Sequence, residues 1–295
     1  MILNVSGRTD IVAFYSEWFM NRYKEGFVDV RNPFNPSLIS RIYFEDVDAI
    51  MFCSKNPLPI IKYLEEIKKP IIFHITLTGY KKDIEKNVPD KKEIIEGIKR
   101  ISKIIGIDRV FVRYDPVLIN EEYTVDYHIK AFDKLCEKLD GYVKNIIISF
   151  IDDYKNVQNN MNILKLKTID NNDLERIGIC FSDSAKRYNM MVQTCAEDDN
   201  LIEYGFIKND CLSQRLAFEI TGKDYKIGTI RKGTKCNCVE MVDIGYYNSC
   251  PHMCAYCYAN YNEKEVKTNY LNHDKTSSLL IGKITKKDII KRRNK

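Results

Sequence analysis

Three cysteines stand close together near the C-terminal end, in the stretch Cys250-Pro251-His252-Met253-Cys254-Ala255-Tyr256-Cys257-Tyr258. The spacing C-x3-C-x2-C lets one short loop wrap a single metal centre. The proline, and the lack of any β-branched residue from Cys250 to Cys257, favour a loop over a strand. Thiolates are soft ligands suited to zinc or to iron-sulfur clusters. A structural zinc site is closed by four protein ligands, whereas three cysteines on a 4Fe-4S cluster leave one iron open to a substrate or cofactor.

A second group of thiols lies upstream: Cys195, Cys211 and the pair Cys236-Asn237-Cys238. Four thiolates close a site completely, so this group is read as an auxiliary 4Fe-4S cluster, a structural zinc site, or unligated loop thiols, with the three left open. Cys53, Cys136 and Cys180 sit in apolar strand-like or helical settings and read as small core residues.

The elements that must position these groups alternate between strand-like apolar runs and amphipathic helical runs, the pattern of βα units around a parallel sheet. Strand candidates are residues 2–5, 27–30, 47–53, 71–77, 109–112, 146–150, 190–192 and 239–244; helix candidates are 12–24, 58–67, 91–104, 125–139, 172–188 and 212–220. Eight strands predict an α/β fold, a TIM-like (β/α) barrel, complete or partial. Residues 1–222 would form the barrel repeats, 223–262 a linker, the last strand and the cysteine loop, and 263–295 a basic tail.

In such barrels functional groups collect at the C-terminal strand ends. Here those ends carry Ser6, Gly7, Arg8 and Asp10; Arg31; Ser54, Lys55 and Asn56; Arg113 and Asp115; Asp152 and Asp153; and Gln193, Cys195 and Glu197. Each of these is also an ordinary loop former beside proline or glycine. Six polar strand ends facing one rim make the stronger reading, because such clustering costs desolvation. His74 lies inside an apolar strand and is open to two readings, a catalyst or a satisfied core histidine.

The motif C-x3-C-x-Tyr-C resembles the cluster loop of the radical S-adenosylmethionine (radical SAM) superfamily. The whole chain, through Ser6-Gly7-Arg8-Thr9-Asp10, Ser54-Lys55-Asn56-Pro57 and Arg113-Tyr114-Asp115-Pro116, is similar to an uncharacterised domain-of-unknown-function family with radical-SAM-like cysteines at its C-terminal end. In radical SAM barrels the cluster loop follows the first strand; here it follows the last, which in a closed barrel lies beside the first. The expectation is therefore a circularly permuted barrel.

The resemblance implies a 4Fe-4S cluster on Cys250, Cys254 and Cys257, S-adenosylmethionine as cofactor, and a reducing electron donor such as flavodoxin or ferredoxin. It implies Tyr256 near the adenine and Ser6, Gly7 and Arg8 near the SAM amino group, although this segment departs from the usual Gly-Gly-Glu. Asp10 joins that cofactor rim, and Ser54, Lys55 and Asn56 would face the ribose or carboxylate. Arg113, Asp115, His74 and Glu197 are left for a substrate.

At 295 residues, with 44% hydrophobic and 29% charged, the composition is that of a soluble globular chain, and the start of the chain has no long apolar run. A cytoplasmic protein without a membrane partner is expected, its ten cysteines serving metal ligation and packing rather than disulfides. The formal charge of +5 owes much to the tail 283–295, read as a solvated end.

Rim charges of both signs favour a small anionic or zwitterionic substrate. Two further readings stand beside the radical SAM enzyme. One is a nucleic-acid-acting protein, since the cluster loop also resembles that of spore photoproduct lyase; the other is a non-catalytic metal-binding protein.

Overall fold

The computed structural model describes residues 1–152, 155–197, 199–228 and 236–294. Its strands are β1 (Ile2–Asn4), β2 (Phe27–Arg31), β3 (Leu38–Tyr43), β4 (Ala49–Ser54), β5 (Ile71–Thr76), β6 (Val110–Val117), β7 (Asn145–Phe150), β8 (Met191–Thr194), β9 (Met241–Asp243) and β10 (Ile289–Arg292). Its α-helices are α1 (Ile11–Phe14), α2 (Ser16–Glu25), α3 (Lys91–Ile105), α4 (Val125–Leu139), α5 (Lys155–Asn159), α6 (Met161–Leu164), α7 (Asn171–Arg187), α8 (Gln214–Thr221) and α9 (Glu263–Leu271). The longer helices begin where a side-chain oxygen satisfies a free amide: Asp90 accepts from Lys92 N, Thr124 from Tyr127 N and Asp170 from Asp173 N.

Seven strands form one parallel sheet in the order β8-β7-β6-β5-β4-β1-β9. The chain therefore steps across the sheet in one direction, and β9 returns to pair with β1, Leu3 opposite Val242. Among the described residues no pairing joins β8 to β9. Strand alternation separates two faces. Leu3, Ile50, Phe52, Phe73, Ile75, Val112, Tyr114, Ile146 and Ile148 enter the main core with the helices. Ile2, Ala49, Met51, Ile72, Phe111 and Ile147 line the other face, covered by Leu212, Ala217 and Val239. Further along the strands this second face turns polar, with Cys53, His74, Arg113, Asp115 and Asp243.

Several expectations need correction. The run 27–30 is not part of the main sheet: β2 pairs antiparallel with β3, which is not among the strand candidates, and β10 completes this three-stranded sheet. Arg31 consequently leaves the rim and pairs with Asp288 at 2.6 Å. Residues 12–24 form two helices broken at Tyr15, and 58–67 is a 3-10 helix, Leu58–Glu66. β6 runs on through Arg113, Asp115 and Pro116, so these residues lie within the strand rather than after it. The segment 263–295, expected as a basic tail with a solvated end from 283, holds α9 and β10, and its backbone carbonyls at Thr276 and Ser277 accept from Arg22 and Trp18. Asp153 and the linker residues 229–235 lie outside the described residues. No described helix is long and apolar enough to cross a membrane.

Candidate metal centre

The cysteine loop follows β9 and lies over the C-terminal ends of β1, β4 and β5. Three anchors hold it there. His252 is 2% exposed and meets Asp10 Oδ2 through Nε2 at 3.0 Å. Asp10 in turn accepts from Ala13 N at 2.9 Å, Ser54 Oγ at 2.8 Å and Lys55 N at 2.9 Å. The segment after β5 pairs with the loop, Asn87 N donating to His252 O at 3.0 Å and Ala255 N to Ile84 O at 2.9 Å. From the other side Asn160 Nδ2 donates to Ala255 O at 2.6 Å, while Asn260 Nδ2 donates to Cys250 O at 2.6 Å and closes the loop on itself. Met253 takes a left-handed backbone with φ of 54°, a conformation that side-chain-bearing residues rarely adopt.

Cys250 and Cys254 are buried and Cys257 is partly buried. Burial pushes all three thiols up; the Asp10 charge adds to this at Cys250, and Lys55 opposes it at Cys254 and Cys257. A buried thiol that resists ionisation gains its thiolate when a cation replaces the proton.

Beside the thiols stands a charge cluster that the sequence did not reveal. Glu85 is 1% exposed and accepts from Lys55 Nζ at 2.8 Å and Thr78 Oγ1 at 2.8 Å, and also from Lys91 and from the Tyr256 hydroxyl. Burial alone would raise its carboxyl, but the two ammonium groups outweigh it and hold Glu85 well below the usual carboxylate range. Lys55 also lies 5.0 Å from the Tyr256 ring centroid. Two cations and one carboxylate leave one positive charge in excess, which favours thiolates nearby. Glu85 and Lys91 were missed because Glu85 belongs to a polar loop and Lys91 to a helix start; only the convergence of Lys55, Lys91 and Tyr256 on Glu85 marks them.

The remaining rim residues fall into two groups. Arg8 pairs with Asp243 through Nε, Gly7 N donates to Asp243 Oδ1 at 2.8 Å, and the Tyr258 hydroxyl reaches Gly7 O. A Cβ on Gly7 would lie 2.7 Å from that Asp243 oxygen, so this crossing of β1 and β9 requires glycine. Ser6 Oγ accepts from Ile11 N at 3.2 Å, and Asn56 Oδ1 from Leu58 N at 3.2 Å. Ser6, Asp10, Ser54 and Asn56 thus build the local turns that seat the loop.

The second group centres on Arg113, whose Nε donates to Asp115 Oδ2 at 2.8 Å and whose Nη1 donates to Cys211 Sγ at 3.0 Å. Asp115 also receives Ser149 Oγ at 3.4 Å. His74 is 1% exposed and stacks on Phe111, with ring centroids 4.9 Å apart. Burial and then the Arg113 charge lower its pKa to about 3, so the ring is neutral. Its Nε2 has no hydrogen-bond partner among the described residues. Glu197 is turned to the backbone, accepting from Phe150 N at 2.9 Å.

The sequence-expected thiols therefore divide as their spacing divides them. Cys250, Cys254 and Cys257 share one loop whose donor set fits a soft metal centre: three shielded sulfurs and adjacent positive charge from Lys55 and Lys91. Of the second group, Cys195, Cys211 and Cys238 come from three separate segments and meet on the second face of the sheet, Cys195 and Cys211 with sulfurs 2.7 Å apart and Cys211 bonded to Arg113; Cys236 stands two residues before Cys238.

Among solved structures, one provisionally assigned as an alpha-L-fucosidase from Bacteroides thetaiotaomicron VPI-5482 is 12% identical over 76% of this chain and 81% of that one, with a TM-score of 0.28. At that level of superposition the likeness supports nothing about activity. No protein of curated function matches this chain. The model of a domain of unknown function, DUF1848, matches residues 2–259, so the chain belongs to the DUF1848 family.

Proposed function

We propose that this protein is a radical SAM-type iron-sulfur enzyme whose sheet is a partial (β/α) barrel, circularly permuted so that the cluster loop follows its last strand. Cys250, Cys254 and Cys257 would hold a 4Fe-4S cluster. When bound, the cluster supplies an open iron for S-adenosylmethionine and one electron for its reductive cleavage.

The observation that carries this reading is the construction of the loop. Three thiols are held in one shielded loop, and Lys55 and Lys91 add positive charge beside Cys254. Burial against Ile84 to Asn87 and against Asn160 excludes water from one side, a need of any reaction that generates a radical. Lys55 and Tyr256, held by Glu85, flank the thiols where a zwitterionic cofactor would approach.

The substrate we assign to the polar face beyond them, where Arg113 and Asp115 offer charges of both signs and the unpartnered His74 Nε2 offers a neutral hydrogen-bonding atom. A small anionic or zwitterionic molecule suits this set. Nucleic acid suits it less well: in the basic C-terminal segment Arg292 is paired with Glu45 and Asp46, each at 2.8 Å, and Arg293 with Glu240 at 3.5 Å.

The test is anaerobic reconstitution with iron and sulfide, reduction in the presence of S-adenosylmethionine, and assay of 5'-deoxyadenosine. The reading expects product from the reconstituted protein and none from Cys254→Ala. Absence of product together with a tightly bound zinc in that loop overturns it in favour of a non-catalytic metal site.

A further inference from the structure

The second thiol group is assembled from three separate segments. Cys195 follows β8, Cys211 precedes α8, and Cys236 and Cys238 lead into β9. The Cys195 and Cys211 sulfurs are 2.7 Å apart, and Cys238 is tied to the same segment, Leu212 N donating to its sulfur at 3.4 Å; Cys236 stands two residues before it. Cys195, Cys211 and Cys238 lie over the second face of the sheet, packed with Ile147, Leu212 and Val239. Four thiols gathered by tertiary contact from positions up to 43 apart in sequence are not explained by packing, since any small apolar residue would fill the space.

We infer that Cys195, Cys211, Cys236 and Cys238 form a mononuclear tetrathiolate site for zinc, independent of the loop at Cys250 to Cys257. The short Cys195–Cys211 approach favours a single ion over the alternative cluster. A tetrahedron with Zn–S bonds of about 2.3 Å has sulfur-sulfur edges of about 3.8 Å, so its sulfurs stand close together, as Cys195 and Cys211 do. Binding widens the Cys195–Cys211 pair by about 1 Å from its 2.7 Å. A 4Fe-4S cluster has four irons between its cysteine sulfurs and needs them much farther apart.

The surroundings also match a dianionic centre. Arg113 Nη1 donates to Cys211 Sγ at 3.0 Å and Leu212 N to Cys238 Sγ at 3.4 Å, both directed at ligand sulfurs as outer partners of a metal site usually are. Zn2+ displaces the thiol protons to solvent, with no change in oxidation state. The site fastens the segment that covers the second face of the sheet. It also fixes Arg113 between a thiolate and Asp115, which ties its integrity to the face assigned above to the substrate.

The experiment compares the wild-type protein with the triple variant Cys250→Ala/Cys254→Ala/Cys257→Ala, purified anaerobically. One zinc per chain in both, replaced by Co2+ with the absorption of a tetrahedral thiolate complex, is the expected result. Cys211→Ser and Cys238→Ser should each lower zinc affinity at least tenfold. Should those variants fail to fold, iodoacetamide labelling of native wild-type protein followed by mass spectrometry decides: the four cysteines are protected until a chelator is added. Acid-labile sulfide retained by the triple variant, a Cys195–Cys211 disulfide, or four freely labelled thiols each overturns the assignment. None of these outcomes depends on 5'-deoxyadenosine formation, so the two sites fail or stand separately.

Discussion

His252, between the first two cysteines of the loop, meets Asp10 across 3.0 Å, and Asp10 receives Ser54 Oγ and Lys55 N with the same carboxylate. One buried side chain therefore joins the end of β1, the end of β4 and the cysteine loop. Replacing Asp10 by alanine strands several buried donors, each worth about 1–3 kcal/mol when left unmade. We expect Asp10→Ala to lose about 3 kcal/mol in urea unfolding and to retain less iron per chain after reconstitution, with Asp10→Asn milder on both counts. Unchanged stability and iron content would remove Asp10 from this role.

Glu85 holds Lys55, Lys91 and Tyr256 together in a site that is 1% exposed. Removing one partner of a buried ionic cluster costs about 3–5 kcal/mol because the other charges stay behind. Glu85→Gln should approach that loss in chemical denaturation, and adding Lys91→Met should recover part of it. Tyr256→Phe should cost only about 1 kcal/mol, one hydrogen bond. Equal losses for the two single variants would show that the charge is not what matters.

Two buried histidines predict acid sensitivity. His128 is hydrogen-bonded to Tyr114 OH and Leu118 O, each at 2.8 Å, and burial lowers its pKa to about 4, while that of His74 falls to about 3. In the unfolded chain both take up a proton near their ordinary value of 6.5. The unfolded state thus binds more protons below that value, and stability, complete above it, declines as pH falls towards 4. The slope is at most about 1.4 kcal/mol per pH unit for each histidine. Urea unfolding between pH 4 and 7 should show this decline, and His128→Gln should make it shallower; a flat profile would mean that neither histidine is held neutral.

The C-terminal segment is built into the molecule. β10 pairs with β3 from Ile289 to Arg292, and Asp288 accepts both Arg31 and Thr285 N. Ending the chain at residue 282 removes these bonds and leaves β3 as an edge. A loss of about 2–4 kcal/mol follows from these backbone and ionic bonds. Thermal melting of the truncated chain measures it, and an unaltered midpoint would return the segment to the status of a loose tail.

The alternation of apolar runs identified the strands of the parallel sheet and most of the helices, because period and capping are local properties: Asp90 and the amphipathic stretch after it are enough to start α3. The spacing of Cys250, Cys254 and Cys257 likewise singled out the loop, since a short chain segment fixes which sulfurs can meet. Partnership between distant segments was not legible. Only the tertiary structure took Phe27–Arg31 out of the main sheet, gave Leu38–Tyr43 and Ile289–Arg292 to it as partners, and moved Arg31 from the rim to Asp288.

The same divide runs through the site. Asp10, Lys55, Arg113 and Asp115 were recognisable as candidate site residues, but their duties were not: Asp10 seats a histidine, Lys55 answers a glutamate from another loop, and Arg113 binds a cysteine 98 positions away. A residue's type is written in the sequence, whereas its electrostatic partner depends on which segments the packed core brings within a few ångströms, and that is decided by the fold as a whole.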